Sequence, residues 1–325
     1  MEKYSQFRDR GSGISPFLPT TTPTPVYAKV CGAVLASFRL TLLSAWCVLY
    51  FFVLDNLPLP QVVRKLYLWT ILLINGIWWV DLQLDGVKRG SLSQQPASRF
   101  PREHAVVAAQ FTSPIDALYL AAIFDPIFVA SYPGTRKVKR ICLFRAVVLA
   151  LSPPSTAAPS ETGLTTIRAL LEENPRRIIA VFPETTTTNG KGILPLSPSL
   201  LSTPADAKIF PVSMRYTPAD VTTPVPGTWF TFLWNLLSKP THYIRVRVAE
   251  GISNTSAATN GLSHSATDEK AGGGGGGDED LTPEEQRIID HIGDALARLA
   301  RNRRVGLTVQ DKAAFVSLWI KNKRN

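Results

Sequence analysis

Cysteine is nearly missing from this chain: Cys31, Cys47 and Cys142 are the only three in 325 residues. Two of them lie in an apolar run where bridging is implausible, so no disulfide framework is available and the soluble part is expected to face a reducing compartment. The sequence also lacks a zinc-finger spacing, an RNP motif and a basic helix bearing base-reading side chains. The net charge of +10 is therefore assigned to acidic phospholipid and not to nucleic acid. No apolar run begins near residue 10, and no small-residue cleavage site follows the first such run, which argues against a cleaved secretory signal. The hydrophobic fraction, 45%, is ordinary, so membrane character has to come from local runs.

Two runs supply it. Leu40 to Leu54 reads LTLLSAWCVLYFFVL and Leu66 to Val80 reads LYLWTILLINGIWWV, both uncharged. As helices each core spans about 22 Å, short against roughly 30 Å of hydrocarbon. Pro58 and Pro60 between them forbid one continuous helix, and the expected shape over residues 27–90 is a helical hairpin. It either spans the bilayer with its flanks or dips into one leaflet. Lys29 before it and Lys88 and Arg89 after it favour cytosolic ends in both cases.

Residues 1–26, rich in Pro, Thr, Ser and Gly, read as a disordered arm. From residue 91 to 250 short β-branched runs alternate with helical stretches, the pattern of an α/β domain. Expected strands are 105–109, 127–131, 146–149, 178–182, 209–214 and 244–249, with helices near 115–123 and 164–173. Residues 251–281, with Gly272 to Gly277, read as a flexible linker. Thr282-Pro283-Glu284-Glu285 is a capping box that opens a helix. Its stripe of Ile288, Ile289, Ile292, Leu296 and Leu299 fits either an anionic bilayer or the domain itself, and the closing segment 314–320 is a second candidate membrane contact in this amphipathic region, 282–325.

Three blocks carry the chemistry. Gln110-Phe111-Thr112-Ser113-Pro114-Ile115-Asp116 follows a strand, with Ser113 as N-cap, Pro114 at N1 and Asp116 in the first turn. Phe182-Pro183-Glu184-Thr185-Thr186-Thr187-Thr188-Asn189-Gly190 follows another, and Ile209-Phe210-Pro211-Val212 is a strand interrupted by proline. In order and spacing they resemble the motifs of the glycerolipid acyltransferase superfamily, which includes the lysophosphatidate acyltransferases. Gln110 stands for the usual Asn, Phe111 for the His, Thr185 for a Gly and Thr187 for a common Arg. The second motif best fits Leu143 to Val148. The resemblance covers about residues 99–250 and is nearest to a fungal branch of lysophosphatidic acid:oleoyl-CoA acyltransferases lacking the histidine.

The resemblance implies an α/β domain with a mixed central sheet after the helical hairpin, and acyl-CoA as co-substrate with no bound metal or prosthetic group. It implies transfer to a lysophospholipid, lysophosphatidate foremost, in glycerolipid synthesis or remodelling. The location implied is the endoplasmic reticulum membrane or a lipid droplet, with the catalytic domain cytosolic. Thr112, Ser113, Glu184, Thr185, Thr186 and Thr187 are implied to bind substrate, and Lys191 to replace part of the missing arginine's charge. Phe111 cannot act as a base, so Asp116 either takes that role, leaves it to the acceptor's own phosphate, or belongs to an inactive domain that binds lipid or acyl-CoA for trafficking or regulation. His104 lies seven residues before Phe111, about 23 Å along an extended strand, and does not rescue the site.

Overall fold

A computed structural model describes residues 2–54, 57, 60–87, 94–159, 163–255 and 281–324. Most of the expected linker, and Lys88 and Arg89 after the hairpin, lie outside them. The elements in order are α1 (Val26–Val48), α2 (Gln61–Ile74), β1 (Ile77–Leu84), β2 (Ala105–Ala109), α3 (Pro114–Phe124), β3 (Ile127–Ser131), β4 (Val138–Ile141), α4 (Leu143–Leu149), β5 (Leu164–Thr165), α5 (Ile167–Glu173), β6 (Ile179–Val181) and β7 (Gly192–Ile193). They continue with β8 (Lys208–Thr217), α6 (Trp229–Leu237), β9 (His242–Val248), β10 (Ile252–Ser253), α7 (Pro283–Ala300), β11 (Arg303–Arg304) and α8 (Val309–Arg324).

The central sheet runs β1-β9-β8-β2-β6-β3-β4-β5, with β10 added on β8. It is mixed, as expected: β8, β2, β6 and β3 are mutually parallel, whereas β9 pairs β8 and β4 pairs β3 in the antiparallel sense. Ala108 is in register with Val181 on one side and with Pro211 on the other. The chain therefore leaves β2 and β6 side by side at the same edge, which delivers the first and third blocks to one place. Both faces of β2 are buried, because helices cover the sheet on each side.

Several expectations are corrected. Residues 146–149 are the end of helix α4, since the run Leu143 to Leu149 buries Leu143 and Ala146 on one face, a helical and not an alternating spacing. The second apolar run is helical only to Ile74. Asn75 and Gly76 stop it, and Trp78, Trp79 and Val80 enter the edge strand β1, paired in parallel with β9. Helix α2 is part of the domain, packing Leu68, Ile71 and Leu72 into the main core against α3.

Residues 2–26 are not a disordered arm: Phe7 and Phe17 are buried in a cluster with Leu194, Val305 and Phe315. Two aromatic side chains supply the apolar area that the Pro- and Thr-rich composition otherwise lacks. The C-terminal amphipathic helix docks on protein. Ile288, Ile289, Ile292, Leu296 and Leu299 are all buried, and Arg136 forms a bidentate ion pair with Glu285 of the capping box. In the closing segment, Phe315 and Val316 of α8 are likewise buried against the arm and the domain.

Among the described residues, only α1 is long and apolar enough to cross a membrane. Its 23 residues give about 34 Å. One stripe, Val30, Val34 and Phe38, is exposed. The other carries Gly32, Ala36, Arg39 and Leu43. Gly32 lies against Ser238 so closely that a Cβ would meet its carbonyl at 2.9 Å. Arg39 donates to the carbonyls of Lys239 and Pro240 at 2.6 and 2.9 Å. The helix is thus tied at its middle to the loop between α6 and β9.

Candidate active site

The turn after β2 is built around one carboxylate. Ser113 has extended dihedrals and caps α3, Pro114 starts the helix without wasting a donor, and Asp116 folds back in a capping box. Asp116 Oδ2 accepts from Thr112 N at 2.6 Å, Ser113 N at 2.9 Å and Thr112 Oγ1 at 3.1 Å, while Oδ1 accepts from the phenol of Tyr216. The group is wholly buried, and burial pushes its pKa up to about 6 against the lowering effect of those donors.

Glu184, from the turn after β6, lies beside it. Its Oε1 accepts from Phe111 N at 3.4 Å and its Oε2 from Leu194 N at 3.1 Å. Burial pushes this carboxyl up to about 8, and the Asp116 charge adds to the rise. The two carboxyls sit in one site with pKa values held apart, Asp116 ionised and Glu184 protonated near neutrality.

Phe111 occupies the place expected of a base. Its ring stacks on Phe182 with centroids 4.3 Å apart and 22° between planes, and Phe128 extends the stack. The ring is a packing element, 1% exposed. None of the histidines placed near the domain replaces it: His104 bonds Asp206 at 2.9 Å at the opposite end of β2, and His242 bonds the Leu236 carbonyl at 2.8 Å.

The threonine run wraps over the pair. Thr188 N donates to Phe111 O at 3.1 Å, tying the third block to the first. Thr187 Oγ1 donates to Thr223 O at 2.7 Å. Thr185 stands where the resemblance has glycine, and its φ of +56° is the left-handed conformation that glycine adopts without penalty. Its hydroxyl is buried without a partner.

Lys191 is corrected: its side chain is exposed, because the chain turns outward at Gly190. The cation at the block is Lys312 of α8, wholly buried, with Nζ 2.8 Å from Thr186 Oγ1 and 2.6 Å from Thr187 O. Sequence reasoning missed it and Tyr216. Both carried a signal. Lys312 shares the stripe of Phe315 and Val316, at helical spacing, and Tyr216 continues the alternation Phe210, Val212, Met214 that buries one face of β8.

The arm and α8 close the site. Asn189 donates to the carbonyls of Pro16, Ser15 and Leu18 between 2.8 and 2.9 Å. Asp116 and Glu184 have no exposed surface.

No family model matches the chain. It is similar to a Schizosaccharomyces pombe protein bearing the provisional name lysophosphatidic acid:oleoyl-CoA acyltransferase, 26% identical over 266 residues that cover 76% of this chain and 83% of the relative. It is also similar to lysophosphatidic acid:oleoyl-CoA acyltransferase 1 of Saccharomyces cerevisiae, 24% identical over 208 residues, 61% of each. Among solved structures, the 1-acyl-sn-glycerophosphate acyltransferase PlsC of Thermotoga maritima aligns over 84% of this chain and 97% of its own, with 14% identity and a TM-score of 0.43. The ordered blocks brought to one sheet edge, together with the two fungal relatives, make this chain similar to the glycerolipid acyltransferase superfamily and support its fungal branch.

Proposed function

We propose that the protein transfers an acyl group from acyl-CoA to the hydroxyl of a lysophospholipid, lysophosphatidate foremost, at the surface of the endoplasmic reticulum or a lipid droplet with the catalytic domain cytosolic. The observation that carries this reading is the buried pair of Asp116 and Glu184, joined through Phe111 N and the Thr112 turn, at the carboxyl ends of two adjacent parallel strands. The relatives' names, lysophosphatidic acid:oleoyl-CoA acyltransferase, support the choice of donor and acceptor.

In this reading the acceptor hydroxyl attacks the thioester carbonyl, its proton goes to Asp116, and coenzyme A leaves as the thiol after taking up a proton. Asp116 is the base, ionised above about pH 6. Glu184, held neutral at physiological pH, sets no negative charge against a phosphate-bearing acceptor. The hydroxyls of Thr112, Ser113, Thr185, Thr186 and Thr187 are the donors around it. Turnover requires the arm to draw back, since the pair is sealed. The exposed stripe of α1 lies in lipid.

Replacing Asp116 by Asn keeps the shape and removes the base, so acyl transfer from labelled acyl-CoA into a panel of lysophospholipids is expected to fall about 100-fold or more. Phe111 favours a second reading, an inert domain that holds lipid or acyl-CoA. No product from wild type selects that reading, whereas equal product from wild type and Asp116→Asn rejects Asp116 as base and leaves the proton to the acceptor's own phosphate.

A further inference from the structure

The threonine block holds a wholly buried lysine whose hydrogen-bond partners are all neutral oxygens. Lys312 Nζ lies 2.8 Å from Thr186 Oγ1, 3.0 Å from Thr187 Oγ1 and 2.6 Å from Thr187 O. A carbonyl oxygen only accepts, and Thr187 Oγ1 commits its own hydrogen to Thr223 O. Two of the three partners therefore demand donors from nitrogen. The side chain meets both demands with N–H groups and keeps its third position for the hydroxyl of Thr186.

All three partners are neutral oxygens. Among the described residues no carboxylate forms an ion pair with Lys312, and Glu184, which would offset its charge when ionised, is pushed towards the neutral form by burial. A wholly buried charge without a counter-ion is among the most costly features a fold can hold. One residue before Thr186, the hydroxyl of Thr185 is buried without a partner on a left-handed backbone. An anionic oxygen is the partner that both groups are able to pair with.

We propose that Lys312 is the cation of a subsite that receives the phosphate of the acyl acceptor, with the hydroxyls of Thr185 and Thr186 as neutral donors; this rests on the lysophospholipid reading of the same site. The block lacks its own arginine, and the C-terminal helix supplies the charge from 125 residues beyond Thr187. On binding, the ammonium exchanges a neutral oxygen for an anionic one, a contact roughly twice as strong. Packing of Phe315 on Tyr4, Phe7 and Phe17 aims the helix at the block.

The test uses the full chain in mixed micelles, comparing wild type with Lys312→Met and Lys312→Arg. Acyl transfer is measured with lysophosphatidate, which carries a phosphomonoester, and with lysophosphatidylcholine, which is zwitterionic. Unfolding temperatures are recorded with and without lysophosphatidate, sn-glycerol 3-phosphate and inorganic phosphate. In Lys312→Met the KM for lysophosphatidate is expected to rise about tenfold or more, with the KM for acyl-CoA unchanged and Lys312→Arg close to wild type. Lysophosphatidate and glycerol 3-phosphate are expected to raise the unfolding temperature of wild type and not of Lys312→Met. Stabilisation by inorganic phosphate alone makes the subsite one for free phosphate and overturns the acceptor assignment.

An unchanged KM for lysophosphatidate overturns the proposal, as does an equal loss on both acceptors with a lower unfolding temperature, which marks a structural clamp. A wild type that turns over neither acceptor refutes the acyltransferase reading instead. The Lys312 subsite then stands if lysophosphatidate stabilises wild type and not Lys312→Met, and falls if both respond alike.

Discussion

At Thr185 the backbone takes φ +56°, a conformation that costs an L-residue about 1–2 kcal/mol. The hydroxyl is buried without a partner, a further cost of about 1–3 kcal/mol. Glycine removes both and loses about 0.5–1 kcal/mol to its greater unfolded-state freedom. Thr185→Gly is therefore expected to stabilise the fold by about 1 kcal/mol or more, read as a shift in urea midpoint at unchanged slope. If the hydroxyl waits for an acceptor phosphate, the same variant loses affinity for lysophosphatidate. A variant no more stable than wild type sinks the strain argument. Phe111 is the contrasting residue, well packed in an aromatic stack and chemically idle; its identity was plain in the sequence, whereas its partners were not.

Helix α1 is the element whose length and setting disagree. It is long enough to cross a bilayer, yet Gly32 and Arg39 hold its inner stripe against the loop between α6 and β9. An arginine in an apolar helix calls for polar partners, and here they are two domain carbonyls. With that tie intact, α1 lies beside the domain in one leaflet, and a glycosylation acceptor inserted after Leu57 is expected to stay unmodified. Arg39→Leu removes the tie and completes the apolar run, so modification is expected to appear. Efficient modification of the wild-type tag establishes a full span and refutes the leaflet position. The apolar stripe of α1 was legible; that a loop near residue 239 would fix it was not, because that contact spans about 200 positions of chain.

At the scale of the whole molecule, the shifts of three buried groups of the site, Asp116, Glu184 and Lys312, combine in the pH dependence. Asp116 and Glu184 are raised by burial from 3.8 and 4.5 to about 6 and about 8, so between pH 5 and 8 the folded chain binds more protons than the unfolded one. Stability from these two groups falls as pH rises through that window. Lys312 is lowered by burial from 10.5 to about 7 and acts oppositely, restoring stability as pH rises from about 7 towards 10.5. Asp9 and Glu285, lowered carboxyls, lose their contributions only below about pH 4, while His242, lowered from 6.5 by burial, opposes the two carboxyls with stability that rises as pH climbs towards 6.5. Urea midpoints are expected to decline from pH 5 towards neutrality, and Glu184→Gln is expected to flatten the decline. A midpoint that climbs steadily from pH 5 to 7 contradicts it. In turnover, ionisation of Asp116 gives a rising limb near pH 6 and loss of the Lys312 charge a falling limb, which Lys312→Arg moves upward because arginine keeps its charge.

Local patterns by themselves determined the caps, the apolar runs and the three blocks: Ser113-Pro114-Ile115-Asp116 and Thr282-Pro283-Glu284-Glu285 form their boxes because the donors and acceptors lie within four residues. Strands 105–109 and 127–131 were equally legible, as unbroken apolar runs buried on both faces. Tertiary structure decided what those elements meet. Parallel pairing of β2 with β6 brings Asp116 to Glu184, a strand returning after one hundred residues brings Tyr216, and a helix near the C-terminus brings Lys312. It also decided that Lys191 points outward and that the arm packs down on Phe17. The physical reason is that a charge or ring declares its chemistry in the sequence, whereas its desolvation and its partner are properties of the space it is folded into.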